Sequence, residues 1–141
     1  MPKHPSEEQL AFHYAVYAKV CEIPYGHVTS YGRIAKLIDC PERPRQVGMS
    51  LKYRDKYLPY LTNDEQMPLF KEEIPWWRVI NSQGIISKRE TVQAEKRQVE
   101  RLRSENVDVE ERDWTAASTP PSSWTKYHVD FAKYGWFPEE H

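Results

Sequence analysis

The stretch spanning residues 31–51 limits most narrowly what this chain can become. Pro24-Tyr25-Gly26 closes whatever precedes it, because proline has no amide hydrogen to continue a helix and glycine accepts positive φ. Thr29 and Ser30 then cap a short helix over residues 31–38 that places Ile34, Ala35 and Ile38 on one side. Cys40-Pro41-Glu42-Arg43-Pro44 breaks that helix, and Pro44 suits the first turn of another, in which Val47 and Leu51 face inward while Arg45, Gln46 and Gly48 lie on other sides. Two short helices joined by a tight turn form a helix-turn-helix candidate.

The flanking sequence completes a recognisable layout. Ser6-Glu7-Glu8-Gln9 is a capping-box pattern, and Leu10, Tyr14, Tyr17 and Cys21 follow at helical spacing, which predicts an amphipathic first helix with those four inward. Residues 54–73 are polar and proline-punctuated without periodicity and read as a long loop. Arg78-Val79-Ile80 and Ile85-Ile86 flank Asn81-Ser82-Gln83-Gly84, the pattern of a small β-hairpin. A last helix is predicted over about residues 90–104 with Val92, Val99 and Leu102 inside. Thr119-Pro120-Pro121-Ser122-Ser123 is linker-like, yet Trp124, Tyr127, Phe131, Tyr134, Trp136 and Phe137 follow it and are expected to dock on the domain. A helix-turn-helix followed by a hairpin makes the expected class mostly α, a winged helix-turn-helix with a small β-hairpin.

Composition narrows the function classes. With 141 residues, 39% of them hydrophobic, the chain can bury one modest core. Mean hydropathy is -0.82, and no apolar run approaches the roughly 20 residues of a membrane span. The N-terminus lacks the basic-then-apolar layout of a secretory signal, and two cysteines cannot make a disulfide framework, so the protein is expected in a reducing compartment and not secreted. The net charge of -1 hides an uneven distribution: residues 1–26 sum to -1, residues 27–103 to +5 and residues 104–141 to -5. A basic middle with an acidic tail suits a domain with one polyanion-facing surface, although an unevenly charged solvated surface has the same arithmetic. Histidines 4, 13, 27, 128 and 141 and the two cysteines show no metal-ligand spacing, so neither metal nor cofactor is expected. Cys21, on the inward face of the first helix, and Cys40, in the turn, lack a neighbouring base or cationic site that would activate a thiol.

Four blocks bear a resemblance that pattern reading does not supply. These are Ile23-Pro24-Tyr25-Gly26-His27-Val28-Thr29-Ser30-Tyr31-Gly32, Arg45-Gln46-Val47-Gly48, Ile74-Pro75-Trp76-Trp77-Arg78-Val79-Ile80-Asn81-Ser82-Gln83-Gly84, and Ser87-Lys88-Arg89. In this order, over about residues 10–109, they resemble the alkyltransferase-like proteins, relatives of O6-alkylguanine-DNA alkyltransferase, and the closing Tyr134-Gly135-Trp136-Phe137-Pro138 is similar to fungal members. The resemblance implies a DNA-binding domain over residues 6–110, with residues 54–73 as an inserted loop and residues 111–141 as an extension packed on it. Active transferases present Pro-Cys-His-Arg-Val, whose Cys takes the alkyl group; alkyltransferase-like proteins have Trp there, and the matching residue is Trp76. An indole has no thiolate to accept alkyl carbon, so the resemblance implies recognition without enzymatic transfer. The family usually keeps His next, where this chain has Trp77, which puts in question the hydrogen bonding around Glu105, the match of a family Glu near the end of the last helix.

The resemblance also implies a mechanism. A lesion on a base edge is hidden in the stack, so inspecting it means rotating the nucleotide out. Arg45 matches the finger that fills the vacated space from the second helix, with Arg43 as an alternative; its planar guanidinium can stack between bases. Tyr31 matches the residue that helps rotate the nucleotide, Gly48 allows close approach to the minor-groove wall, and Thr29 and Ser30 are expected phosphate ligands near a helix start. Pro75, Trp76, Val79, Asn81, Ser87 and Arg89 would line the lesion pocket: Asn81 tying the turn to the helix-turn-helix, Ser87 near the modified oxygen, and Arg89 against the purine face in a cation–π contact. Arg78 is expected to serve structure or phosphate contact. The expected partners are duplex DNA containing O6-alkylguanine and nucleotide-excision repair proteins, with no membrane, for a monomer in the nucleus if the source is eukaryotic and otherwise in the cytoplasm. The competing expectation is a winged-helix regulator that reads sequence in undamaged DNA.

Overall fold

The computed structural model describes residues 4–113 and 121–138. It divides into two compact units, one made of the residues up to Glu22 together with Gly32–Trp76, the other of Ile23–Tyr31 together with the described residues from Trp77 onward.

In the first unit, α1 (Glu7–Val20) begins with the expected capping box: Ser6 accepts from the Gln9 amide and the Gln9 side chain accepts from the Ser6 amide. Its buried stripe, however, is Val16, Tyr17 and Val20, whereas Tyr14 is 45% exposed and Cys21 is also exposed. The expected face was therefore displaced around the helix. The reason lies in the partner helix α3 (Pro44–Lys52): Tyr17 donates its hydroxyl to the Ser50 carbonyl at 2.7 Å, and His13, not Tyr14, meets the Ser50 hydroxyl at 2.8 Å and stacks on Tyr57. Burial lowers the His13 pKa.

The helix-turn-helix forms as read. Helix α2 (Tyr31–Leu37) ends through Asp39, whose φ of 62° lets the Cys40 amide reach back to the Ala35 carbonyl at 2.8 Å. Pro44 opens α3, and Val47 and Leu51 point inward. The stretch expected as a loop begins instead with α4 (Arg54–Tyr57) and a 3-10 turn at Leu58–Tyr60, followed by a bridge between Thr62 and Pro68. Tyr57 and Phe70, which pack on His13 and on Tyr14 and Tyr17 respectively, explain why it is ordered: a sequence without period can still supply aromatic contacts.

In the second unit the Asn81–Gly84 turn is present, closed by Gly84 amide to Asn81 carbonyl and Asn81 amide to Ile85 carbonyl, each 3.1 Å. The ladders beyond the turn run elsewhere. Strand β1 (Thr29–Ser30) pairs in parallel with β2 (Val79–Ile80), while β3 (Ile85–Ser87) and β4 (Glu110–Glu111) flank β5 (Trp124–His128) in an antiparallel sheet. The segment expected as an extension thus supplies the central strand of this sheet. Its end, with α6 (Phe131–Tyr134), returns to Val28, where Val28 amide and carbonyl bond Tyr134 carbonyl and Trp136 amide at 2.9 and 2.7 Å. Residues 114–120, including the start of the linker-like stretch, lie outside the described residues. Helix α5 (Val92–Ser104) is capped by Thr91 and buries Val99 and Leu102, but Val92 is 59% exposed because it stands in the first turn. No described helix is long and apolar enough to cross a membrane.

Gly84 has φ 76°, and a Cβ there would stand 2.6 Å from the Val129 carbonyl oxygen, an oxygen on the segment that follows β5. Gly84→Ala is therefore expected to destabilise by more than about 1 kcal/mol, since a left-handed site loses more with alanine than the unfolded-state gain returns. An unchanged denaturation midpoint would contradict this account of the turn.

Candidate nucleic-acid interface

In the first unit, Arg45 stands exposed on α3 with Gly48 one turn on, half-buried. Arg43, the alternative finger, is already engaged: its guanidinium sits 5.9 Å from the Phe12 ring centre and pairs with Glu42 at 3.5 Å. Pro75 and Trp76 are buried, Trp76 to 6% exposure. Above the Trp76 ring, 5.1 Å from its centroid, lies the guanidinium of Arg54, which also donates to the Leu51 carbonyl at 2.9 Å. Sequence reasoning missed Arg54 because it fell in the stretch read as loop.

In the second unit, Thr29 and Ser30 are buried in β1, and the Thr29 hydroxyl oxygen has no hydrogen-bond partner among the described residues. Both side chains are thus away from the surface on which they were expected as phosphate ligands. Val79 is a core residue of β2. Asn81 organises the turn by accepting from the Gln83 and Ile85 amides, each 2.9 Å, and its amide nitrogen is buried without a partner among the described residues.

Tyr31, Ser87 and Arg89 come together. The Tyr31 hydroxyl is hydrogen-bonded with the Arg89 and Ser87 side chains; its pKa is raised, burial outweighing the Arg89 cation and these bonds. Arg89 in turn donates from Nε and Nη2 to Oε1 of Gln98 at 3.2 and 3.0 Å, and its backbone amide reaches Glu95 Oε2 at 3.2 Å.

The second polar centre is Glu105, buried to 6% exposure. Trp77 donates its indole N–H to Oε2 at 2.7 Å, the Gly26 amide donates to Oε1 at 2.9 Å, and Arg78 grips both oxygens while also donating to the Ile23 carbonyl at 2.9 Å. This answers the question that Trp77 raised: the indole supplies a donor to the carboxylate, and Arg101 covers its ring at 4.1 Å. Arg78 thus binds Glu105 and the Ile23 carbonyl at once. Burial by itself would raise the Glu105 carboxyl, but Arg78, the Gly26 amide and the Trp77 indole together hold it below the usual glutamate range. Among the described residues no group of His, Cys, Asp and Glu could hold a metal ion.

The family model for the DNA binding domain of 6-O-methylguanine DNA methyltransferases matches residues 11–107. Alkyltransferase-like protein 1 of Schizosaccharomyces pombe is 35% identical over 127 residues, covering 90% of this chain and 95% of that protein. The DNA base-flipping protein of Escherichia coli is 38% identical over 89 residues, 60% of this chain and 58% of that protein. A crystal structure of S. pombe Atl1 in complex with damaged DNA containing O6-carboxymethylguanine superposes with a TM-score of 0.66 at 34% identity, covering 96% of this chain and all of that one. The chain thus has the methyltransferase DNA-binding fold. Within that class it belongs to the alkyltransferase-like protein family.

Two outcomes test the Glu105 centre. Because the folded-state pKa is depressed, the stability it contributes is present above the ordinary value of 4.5 and is lost as pH falls through the lower folded value. Glu105→Gln is expected to be less stable at neutral pH and to show a flatter stability profile between neutral pH and about pH 3 than the parent, read by chemical denaturation. Trp77→Phe, which keeps the ring but removes the donor, should cost on the order of 1–3 kcal/mol, the scale of a hydrogen bond to a buried charge; a cost near zero would show that Arg78 and Gly26 suffice.

Proposed function

We propose that this protein is a non-enzymatic DNA-damage sensor that binds O6-alkylguanine in duplex DNA with the nucleotide flipped out and leaves the lesion to nucleotide-excision repair. The observation that carries the reading is the convergence of Tyr31, Ser87 and Arg89, three residues assigned to nucleotide rotation and lesion contact from two separate sequence blocks, through hydrogen bonds at one phenol oxygen. The similarity to S. pombe Atl1, crystallised on DNA carrying O6-carboxymethylguanine, supports the choice of ligand, and the base-flipping name of the E. coli relative supports the mode. In this reading Arg45, exposed on α3, enters the vacated stack, and Gly48 lets that helix approach the minor-groove wall. Tyr31 turns the nucleotide. Ser87 and Arg89 meet the altered base edge and ring face, with Asn81 holding the turn that leads to them.

Trp76 stands where transferases have their acceptor. A buried indole under a guanidinium offers neither thiolate nor leaving-group chemistry, so the complex ends at binding and the alkyl group stays on the base. Incubation with a duplex carrying radiolabelled O6-methylguanine should leave the protein unlabelled.

Titration of one duplex sequence with and without O6-methylguanine should show preference for the lesion; a preference among undamaged sequences instead would favour a sequence-reading regulator. Affinity should fall with added salt as phosphate contacts release counterions. Arg45→Ala should weaken lesion binding by on the order of 1–3 kcal/mol, the scale of a stacked or base-paired contact, and 2-aminopurine beside the lesion should report less unstacking. Equal losses on lesion and plain duplex, with the fluorescence signal intact, would reduce Arg45 to a phosphate contact.

A further inference from the structure

Gln98 lies on α5, and its side chain is buried to 1% exposure in a helix otherwise rich in charged residues. A buried amide needs partners at both ends, and here they are of two kinds. Oε1 accepts from Nε and Nη2 of Arg89 at 3.2 and 3.0 Å. Nε2 donates to the backbone carbonyls of Trp77 and Val79 at 3.3 and 3.2 Å. The residue therefore links the start of β2 to a guanidinium nine positions earlier in the chain.

Arginine has several rotatable bonds, and left alone its head would sample many orientations. Two donors converging on one fixed oxygen set the plane of the group, and the Tyr31 phenol oxygen contacts the same side chain. A cation–π contact falls off when the guanidinium tilts or slides from the ring face, so orientation at this position determines how well a flipped purine is held. We propose that Gln98 is a positioning residue for lesion recognition: it pre-orients Arg89, using the carbonyls of Trp77 and Val79 as its own anchor, and so sets the preference for alkylated over plain guanine. This rests on the reading of Arg89 as the lesion-contacting cation.

The test separates the two ends of the amide. Gln98→Met keeps the volume but removes both acceptor and donors. Gln98→Glu keeps an acceptor for Arg89 and loses both donors to the backbone. Each is measured, with Arg89→Ala and the Arg89→Ala/Gln98→Met double variant, for affinity to one duplex with O6-methylguanine and with guanine. The exchange rate of the Arg89 Nε–H proton, followed by nitrogen-15 NMR, reports the bond to Gln98 directly, and the lesion-to-plain affinity ratio is the readout that a merely structural role for Gln98 would not move.

Gln98→Met should lower the lesion-to-plain affinity ratio on the order of 5- to 30-fold, the range of a desolvated cation–π contact, with plain-duplex affinity nearly unchanged and faster Arg89 exchange. The double variant should be no worse than Arg89→Ala, because the two act as one unit. Gln98→Glu should retain most of the ratio and slow exchange, and it carries the test if Gln98→Met does not fold. The proposal is overturned by a folded Gln98→Met with parental ratio, by losses that multiply in the double variant, or by Gln98→Glu losing the ratio while Arg89 exchange stays slow. An Arg89→Ala ratio equal to the parent's would overturn the reading of Arg89 itself, and this proposal with it.

Discussion

Glu105 is the interaction on which the second unit depends. One carboxylate gathers the Gly26 amide, the Trp77 indole and the Arg78 guanidinium, and Arg78 extends the grip to the Ile23 carbonyl. Three stretches distant in sequence, around residues 23–26, 77–78 and 105, meet at a single charge. A buried carboxylate is tolerable only when its lone pairs are answered and a cation lies beside it. Each donor therefore holds the others in place, and the strands that follow Trp77 and the helix that ends at Glu105 inherit their positions from that junction.

A second network, from Tyr31 through Arg89 to Gln98 and the 77–79 backbone, shares an edge with the first at Trp77: the indole serves Glu105 while its carbonyl serves Gln98. Residues of the two networks are thus neighbours on one short stretch. Substitutions there will report on both networks unless donor and acceptor are altered separately. The first unit solves a different problem with apolar means, burying Val16 and Tyr17 of α1 and Val47 of α3, with His13, Tyr17 and Ser50 supplying the polar seam between the two helices, and leaving Arg45 outside.

Much of the fold was legible because local physics dictated it. The capping box at Ser6, the break before Pro44 and the turn at Asn81–Gly84 all act within a few residues, and each appeared where the sequence placed it. Errors clustered where the answer depends on a distant partner. The face of α1 was displaced because α3 selects His13 and Tyr17. Residues 54–60 are helical although they lack a periodic pattern, and β2 and β3 find ladders with β1 and β5 in place of each other. Thr29 and Ser30 looked like exposed caps and are strand residues.

The sequence by itself determined the helix-turn-helix, the mostly helical class and the family, because caps, breakers and motif blocks are written in contiguous residues. It also named Tyr31, Ser87 and Arg89, though only through resemblance. Only the tertiary structure decided that these three share one hydrogen-bonded cluster, that Gln98 and Arg54 belong in the account, and that Trp77 donates to Glu105. The physical reason is directional: a hydrogen bond or a cation over a ring requires two groups within a few ångströms at a particular angle. For residues nine to seventy-nine positions apart, that condition is set by packing.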